Sequence, residues 1–385
     1  MTNRQPCTPA CRIVLRSEAR VLPPVLGTFC SELGTVFIVP ICPFPMSLSD
    51  YIRTVPKVEL HVHLEGSIQP ETLLTLAKRH CVDLPAETVE GLRAWYQFQD
   101  FHHFIEVYVK ITECLKAVED FELIVHEFGA KMARQNIRYA EVTFSPSSHR
   151  WINGIDQGTY FTGLTRGRKR VKDEYGVEIN WVFDIVRNAE HAGCESYKVA
   201  ADYTTGVAID GMQDGVVALG LGGLEAGYPP APFAPWFDRA RKAGLRSAPH
   251  AGELAGPESI WSAIRDLGAE RLGHGVRAIE DPDLVAYLAE HRIPIEINPT
   301  SNIRLGVYPS METHPLRRLY DAGVIVTVNS DDPPLFNTTL TEEIALLPDV
   351  FDCDLDLINE ILLNAVRTSF LPDDRRKQME VEFWG

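Results

Sequence analysis

The chain has 385 residues, 45% of them hydrophobic and 23% charged, an ordinary globular composition that excludes a coiled coil, a collagen-like chain and wholesale disorder. Its 37 Lys and Arg against 53 Asp and Glu leave a net charge of −16, a poor balance for sequence-independent binding to nucleic-acid phosphates or anionic membranes. No run approaches the roughly 18 apolar residues of a membrane span, and the most apolar early stretch, 35–46, is broken by Pro40, Pro43 and Pro45. Of the 8 cysteines, Cys7, Cys11, Cys30 and Cys42 crowd the first 45 residues and the rest are scattered. That spacing is no disulfide framework, so reduced thiols and a cytoplasmic location are expected.

Residues 1–45 have many prolines, no clear period and basic residues at Arg4, Arg12, Arg16 and Arg20. They read as an extension, disordered or upstream of a true start at Met46. From Met46 the chain alternates between short β-rich runs and amphipathic helical stretches. Strands are predicted at 58–63, 137–144, 179–186, 215–219, 245–250, 271–274, 294–297 and 324–329. Helical patterns fall at 71–80, 121–134, 233–243, 257–267, 282–291 and 316–322. Such alternation predicts a parallel sheet with crossover helices. Eight units within 46–385 predict one α/β domain, a (β/α)8 TIM-type barrel with a helical insertion after the first strand. A doubly wound open sheet fits less well, because the first strand runs into His61-Val62-His63-Leu64-Glu65-Gly66 rather than a glycine-rich phosphate loop. The insertion includes 98–115, rich in aromatics at helical spacing. It reads either as a core-facing helix or as a lid in which Phe101, Phe104, Ile105 and Tyr108 wall off water.

The chemistry concentrates at predicted strand ends. His61 and His63 lie two apart on one strand, so both imidazoles project from the same face. One buried histidine is usually a hydrogen-bonded core residue; two side by side read as the start of a metal site. The fifth strand ends in His250-Ala251-Gly252-Glu253, the sixth in Gly273-His274-Gly275, and the eighth in Asn329-Ser330-Asp331-Asp332. Barrel enzymes keep their chemistry at those ends. Two aspartates closing an apolar strand repel each other unless a cation sits near, and a helix cap explains only one of them. Three histidines and an aspartate suit zinc with a position left for water. A further histidine can orient or deprotonate that water, and a protonated carboxyl can donate to a substrate.

At these residues the chain resembles the adenosine deaminase family of the amidohydrolase superfamily. The resemblance rests on Lys57 to Ser67 (KVELHVHLEGS), His250 to Glu253, Leu272 to Gly275, Pro299-Thr300-Ser301-Asn302, and Ser330 to Pro333, in that order, and covers about Met46 onward. It implies that His61, His63, His250 and Asp331 bind one Zn2+ per chain. Glu253 would donate a proton to purine N1, His274 would orient or deprotonate the attacking water, Asp332 would hydrogen-bond N7, and the Gly223 N–H would reach N3. Water would add to C6 and ammonia would leave. The implied reaction is hydrolytic deamination of adenosine or deoxyadenosine. The alternatives are aminodeoxyfutalosine, an adenosine derivative of menaquinone biosynthesis, and free adenine. The partner is thus a small purine nucleoside.

Glu65 stands where animal-type members carry an Asp that contacts the ribose 5′-oxygen, and relatives acting on adenine or on larger adenosine derivatives often have Glu there. Glu65 is therefore expected at the sugar side of the substrate. Gly220 stands where the best-known members carry Asp. Two rival readings differ in chemistry. Dinuclear amidohydrolases use a lysine at the end of the fourth strand, and none is present in Ala218-Leu219-Gly220-Leu221-Gly222. A silent nucleoside-binding barrel would not require the whole set of His61, His63, His250, Glu253, His274 and Asp331.

Overall fold

In a computed structural model, residues 47–97 and 101–384 are described, apart from the side chains of residues 101, 102 and 384. The expected extension over 1–45, residues 98–100 and the Phe101 side chain of the aromatic stretch lie outside these residues. Eight strands form one sheet: β1 (Lys57–His63), β2 (Ile137–Phe144), β3 (Glu178–Val186), β4 (Val216–Gly222), β5 (Arg246–Ala251), β6 (Leu272–His274), β7 (Ile295–Ile297) and β8 (Val326–Val328). Each pairs with the next in parallel. Beyond β8 the chain returns to β1 through a parallel bridge between Val62 and Asp331, with His63 N–H donating to Asp331 O at 2.9 Å and Asp331 N–H to His61 O at 3.1 Å. The sheet thereby closes as the predicted barrel.

The insertion after β1 is helical: Pro70–His80, Val89–Trp95, Phe101–Glu113 and Val118–Arg134 all precede β2. Among the described residues, no helix is long and apolar enough to cross a membrane. The four described cysteines, Cys81, Cys114, Cys194 and Cys353, are free.

Strand parity sets the interior. On β1, Val58 and Leu60 face outward and pack with Ala365 and Val366 of helix Leu355–Thr368, while Lys57, Glu59, His61 and His63 take the alternate face. At the end of the barrel opposite the histidines, Phe370 packs against Val182, Ala218 and Ala248. The Arg271 guanidinium lies 4.0 Å from the Phe370 ring centroid and donates to Thr368 O at 2.9 Å. The chain after helix Leu355–Thr368 therefore plugs the barrel floor.

Two strand limits differ from the sequence expectation for physical reasons. The fourth strand, expected to stop at Leu219, runs on to Gly222, because its glycines face an aspartate of β3 rather than forming a turn. The eighth stops at Val328, short of the expected Asn329. There the side chain takes over: Asn329 Oδ1 accepts from Leu60 N–H at 2.9 Å and His61 N–H at 3.2 Å.

Candidate metal centre and active site

The barrel's C-terminal mouth gathers four histidines and two acids from β1, β5, β6 and the segments after β5 and β8. The ring of His61 lies 4.5 Å from that of His250 and 5.6 Å from that of His63, centroid to centroid. Asp331 Oδ1 is 3.4 Å from His61 Nε2 and 3.3 Å from His63 Nε2, and His250 Nε2 is 3.3 Å from His63 Nε2. Ligand-type atoms of His61, His63 and Asp331, and of His61, His250 and His274, lie within 4.8 Å of one another. His61 Nε2 is buried with no hydrogen-bond partner, an orphan a cation would satisfy. The donor set, three imidazoles and a carboxylate, matches a four-ligand zinc-type site. Burial above all holds His250 well below the usual histidine range, so it is neutral as a ligand must be.

The cluster is held from outside. His61 Nδ1–H donates to Glu296 Oε2 at 2.8 Å, which fixes the tautomer that leaves Nε2 for a metal. Glu296 in turn pairs with Arg271, whose other nitrogen is 2.5 Å from Glu141 Oε2. Glu141 accepts from Phe370 N–H on the barrel floor at 2.5 Å. Ser301 Oγ–H donates to Asp331 Oδ2 at 2.6 Å. Asp331 and His274 both adopt left-handed backbone, at φ 62° and 59°, a conformation costly for non-glycine residues and concentrated at functional sites.

Glu253 Oε1 lies 3.6 Å from His274 Nε2. Burial, then repulsion from Asp331 and Glu225, raises its carboxyl well above the ordinary range, so it holds a proton at neutral pH. Its loop is organised by Glu225, whose carboxylate accepts from the N–H groups of Gly252, Glu253, Leu254 and Ala255 and from Ser259 Oγ–H, at 2.6–3.0 Å.

A relay fixes the proton on His274. The Leu316 backbone N–H, which can only donate, meets His314 Nδ1 at 3.2 Å. The neutral His314 ring must therefore carry its hydrogen on Nε2, which donates to Asn302 Oδ1 at 3.0 Å. Burial keeps His314 neutral, lowered to about 3. Asn302 Nδ2 then donates to His274 Nδ1 at 3.2 Å, joined by Asn298 Nδ2 at 3.3 Å. Burial lowers His274 to about 3 as well. Its single hydrogen is thus on Nε2, facing Glu253 and Asp331.

Asp332 is 3% exposed, and a Cβ on Gly66 would lie 1.5 Å from its Oδ1. Only glycine after Glu65 leaves room for that carboxyl. Burial, then its neighbour Asp331, raises Asp332 to about 8, against the pull of His63. Gly223 is the first residue past β4, at φ 81°, and lines the cleft. Glu65 is placed differently from its neighbours. It is fully buried, its Oε1 accepting from His149 Nε2 at 2.8 Å and Ser145 N–H at 3.1 Å, its Oε2 from Tyr108 Oη at 3.3 Å. Tyr108 and Ser145 line the cleft and Glu65 stands behind them.

The cleft spans about 900 Å³ with its solvent-open mouth included. One wall is polar: His63, His250, Glu253, His274, Asp331 and Asp332. The opposite side is mainly apolar, with Phe104, Ile105 and Val109 of helix Phe101–Glu113 facing Ile152, Val186 and Ala192. That helix also faces the core, as the first of the two expectations had it: Val107 and Ile111 are buried there. Sequence reasoning gave no role to Glu225, Glu296, Asn302, His314 or Asp184. The signal available was a lone acid inside an apolar strand, as in Ile295-Glu296-Ile297 and Phe183-Asp184-Ile185.

The adenosine deaminase family profile matches residues 56–383. The chain belongs to the adenosine deaminase family of the amidohydrolase superfamily, and its relatives are hydrolytic deaminases of purine-type substrates. It is 43% identical over 327 residues to the aminodeoxyfutalosine deaminase of Streptomyces avermitilis, covering 84% of this chain and 89% of that one. It is 35% identical to the adenine deaminase of Albidiferax ferrireducens, covering 86% and 93%. The crystal structure of an adenine deaminase from Arthrobacter aurescens superposes with a TM-score of 0.79 at 30% identity, covering 86% and 98%.

Proposed function

We propose that the protein is a zinc-dependent hydrolytic deaminase of a 5′-extended adenosine of the aminodeoxyfutalosine kind. The observation that carries the deaminase reading is the meeting of a proton-holding Glu253 with the His61, His63, His250 and Asp331 cluster at one wall of the cleft. The greater identity to the Streptomyces enzymes supports the 5′-extended substrate over plain adenosine. So does the apolar wall of Phe104, Ile105, Val109 and Ile152, whose chemistry suits a less polar extension than a sugar hydroxyl. Adenine is the second reading, favoured by the adenine deaminases at 35% identity and by the Arthrobacter structure.

His61, His63, His250 and Asp331 would hold the metal ion, which when bound would supply Lewis acidity and lower the pKa of water toward roughly 7. The protein groups do the rest. Glu253 donates its proton to ring N1 as C6 becomes tetrahedral; its carboxylate then takes a proton from the added water, passes it to the amino group, which leaves as ammonia, and recovers one from the C6 hydroxyl as the carbonyl forms. His274 donates from Nε2 and so holds the oxygen of the attacking water in line rather than taking its proton. Asp332, protonated, donates to N7, and the Gly223 N–H to N3. Glu65 acts through Tyr108 and Ser145, holding the wall nearest the sugar. Donors fixed before reaction are worth more in a dry site than in water.

The test is ammonia release from adenosine, deoxyadenosine, adenine and aminodeoxyfutalosine, reported as kcat/KM, with elemental analysis of the purified protein. The expected result is one zinc per chain and the highest kcat/KM on aminodeoxyfutalosine. Preference for adenine would select the second reading, and no turnover of any purine would defeat the assignment.

A further inference from the structure

Asp184 is a fourth acid in the cleft, beside Glu253, Asp331 and Asp332, and neither metal binding nor proton donation uses it. It is 2% exposed, lies on β3 and lines the cleft with His63 and Gly223. Its Oδ1 accepts from Ser145 Oγ–H at 2.7 Å, and no described side chain donates to Oδ2. The neighbouring strand is cut back to admit it. Asp184 pairs in register with Gly220 of β4. A Cβ on Gly220 would stand 3.1 Å from Asp184 Cβ, and a Cβ on Gly222 would stand 2.1 Å from Asp184 Oδ2. Glycine weakens a strand interior, so two of them there mark a close approach. Here the approaching group is a carboxylate, and a buried carboxylate with one oxygen unmatched is costly unless a ligand supplies a donor.

The placement says which part of the ligand meets it. The metal cluster, Glu253 and Asp332 take the six-membered ring edge and N7. Gly223, next in chain to Gly222, is the group assigned to N3. On a purine, N3 adjoins the carbon that bears N9, so a carboxylate beside Gly222 faces the root of the N9 substituent. We infer that Asp184 is a specificity-determining residue that accepts a hydrogen bond from a sugar hydroxyl of the substrate. This rests on the purine-deaminase reading. It divides the sugar-side labour: Asp184 touches the substrate, and Glu65 braces the wall behind.

The experiment compares wild type, Asp184→Ala, Asp184→Asn, Asp184→Gly and the transplant Asp184→Gly/Gly220→Asp. The last moves the carboxylate one strand over on the same rung. Substrates are adenosine, its 2′-, 3′- and 5′-deoxy forms, and adenine, with zinc content measured for each variant. Asp184→Ala should lower kcat/KM on adenosine by about 10- to 100-fold, the scale of losing one hydrogen bond to a charged group. On one deoxy analogue and on adenine the loss should be at least several-fold smaller, with zinc unchanged. Asp184→Asn should fall between, and the transplant should exceed Asp184→Gly alone on adenosine. Equal proportional losses on every substrate, adenine included, would overturn the inference and leave Asp184 a support for Ser145. Failure of the wild type to deaminate any purine would instead bring down the reading beneath it.

Discussion

Glu253 keeps its proton because burial and two neighbouring acids oppose ionisation. Glu253→Gln preserves shape and one hydrogen-bond donor but cannot transfer a proton. Zinc should stay bound while kcat falls at least about 100-fold, the usual scale for a general acid; near-normal kcat with zinc in place would make Glu253 structural. The His314–Asn302–His274 relay gives a sharper test, because hydrogen-bond direction alone sets the tautomer. In Asn302→Asp the new carboxylate only accepts, so it competes with the remaining Asn298 donor, draws the His274 hydrogen to Nδ1 and presents a bare Nε2 to the cleft. A donor that orients water is then lost, and kcat should drop by about 100-fold or more with metal content unchanged. Were His274 a base at Nε2, the same change would leave kcat level or raise it.

Helices and strands divide cleanly between what pattern shows and what it hides. Pro257–Leu267 and Pro282–His291 occur as predicted, because proline opens each and a hydrophobic stripe repeats at helical period. Helix Tyr197–Asp210 escaped notice: its small, threonine-rich, two-sided burial leaves little period. The metal and acid residues were legible because histidines and paired acids at strand ends need a chemical reason. Their supports were not, because contacts such as Glu225 to the 252–255 loop or Glu343 to Thr300 join segments distant in sequence. Glu343, on helix Leu340–Val350, accepts from Thr300 N–H at 3.0 Å and Thr338 Oγ1–H at 2.5 Å, and so ties this helix to the segment after β7. Burial raises its carboxyl from 4.5 to about 7. Between those values the native state binds more protons than the unfolded one, so this contribution to stability is full below about 4.5 and is lost as pH rises through about 7. Glu343→Gln is neutral throughout. Its denaturation midpoint relative to wild type should therefore climb from pH 4.5 to 7, by a difference on the order of 3 kcal/mol at most. A constant difference would mean that Glu343 is ionised in the native protein.

Across the whole molecule, the site is assembled from both ends of the barrel. Its first proposed ligands are His61 and His63, its last is Asp331, and the ion-pair chain behind His61 runs through Glu296, Arg271 and Glu141 to Phe370. A buried charge that loses one partner typically costs about 3–5 kcal/mol, so the floor and the metal pole stand or fall together. The order of synthesis then matters. A nascent chain that has emerged as far as β4 carries only the two histidines of β1, too few donors for a closed zinc site. The segment bearing Asp331 and the Phe370 plug follow only after β8. An ion held by the proposed ligands is therefore no seed around which the early strands condense; the barrel must close before its site is whole.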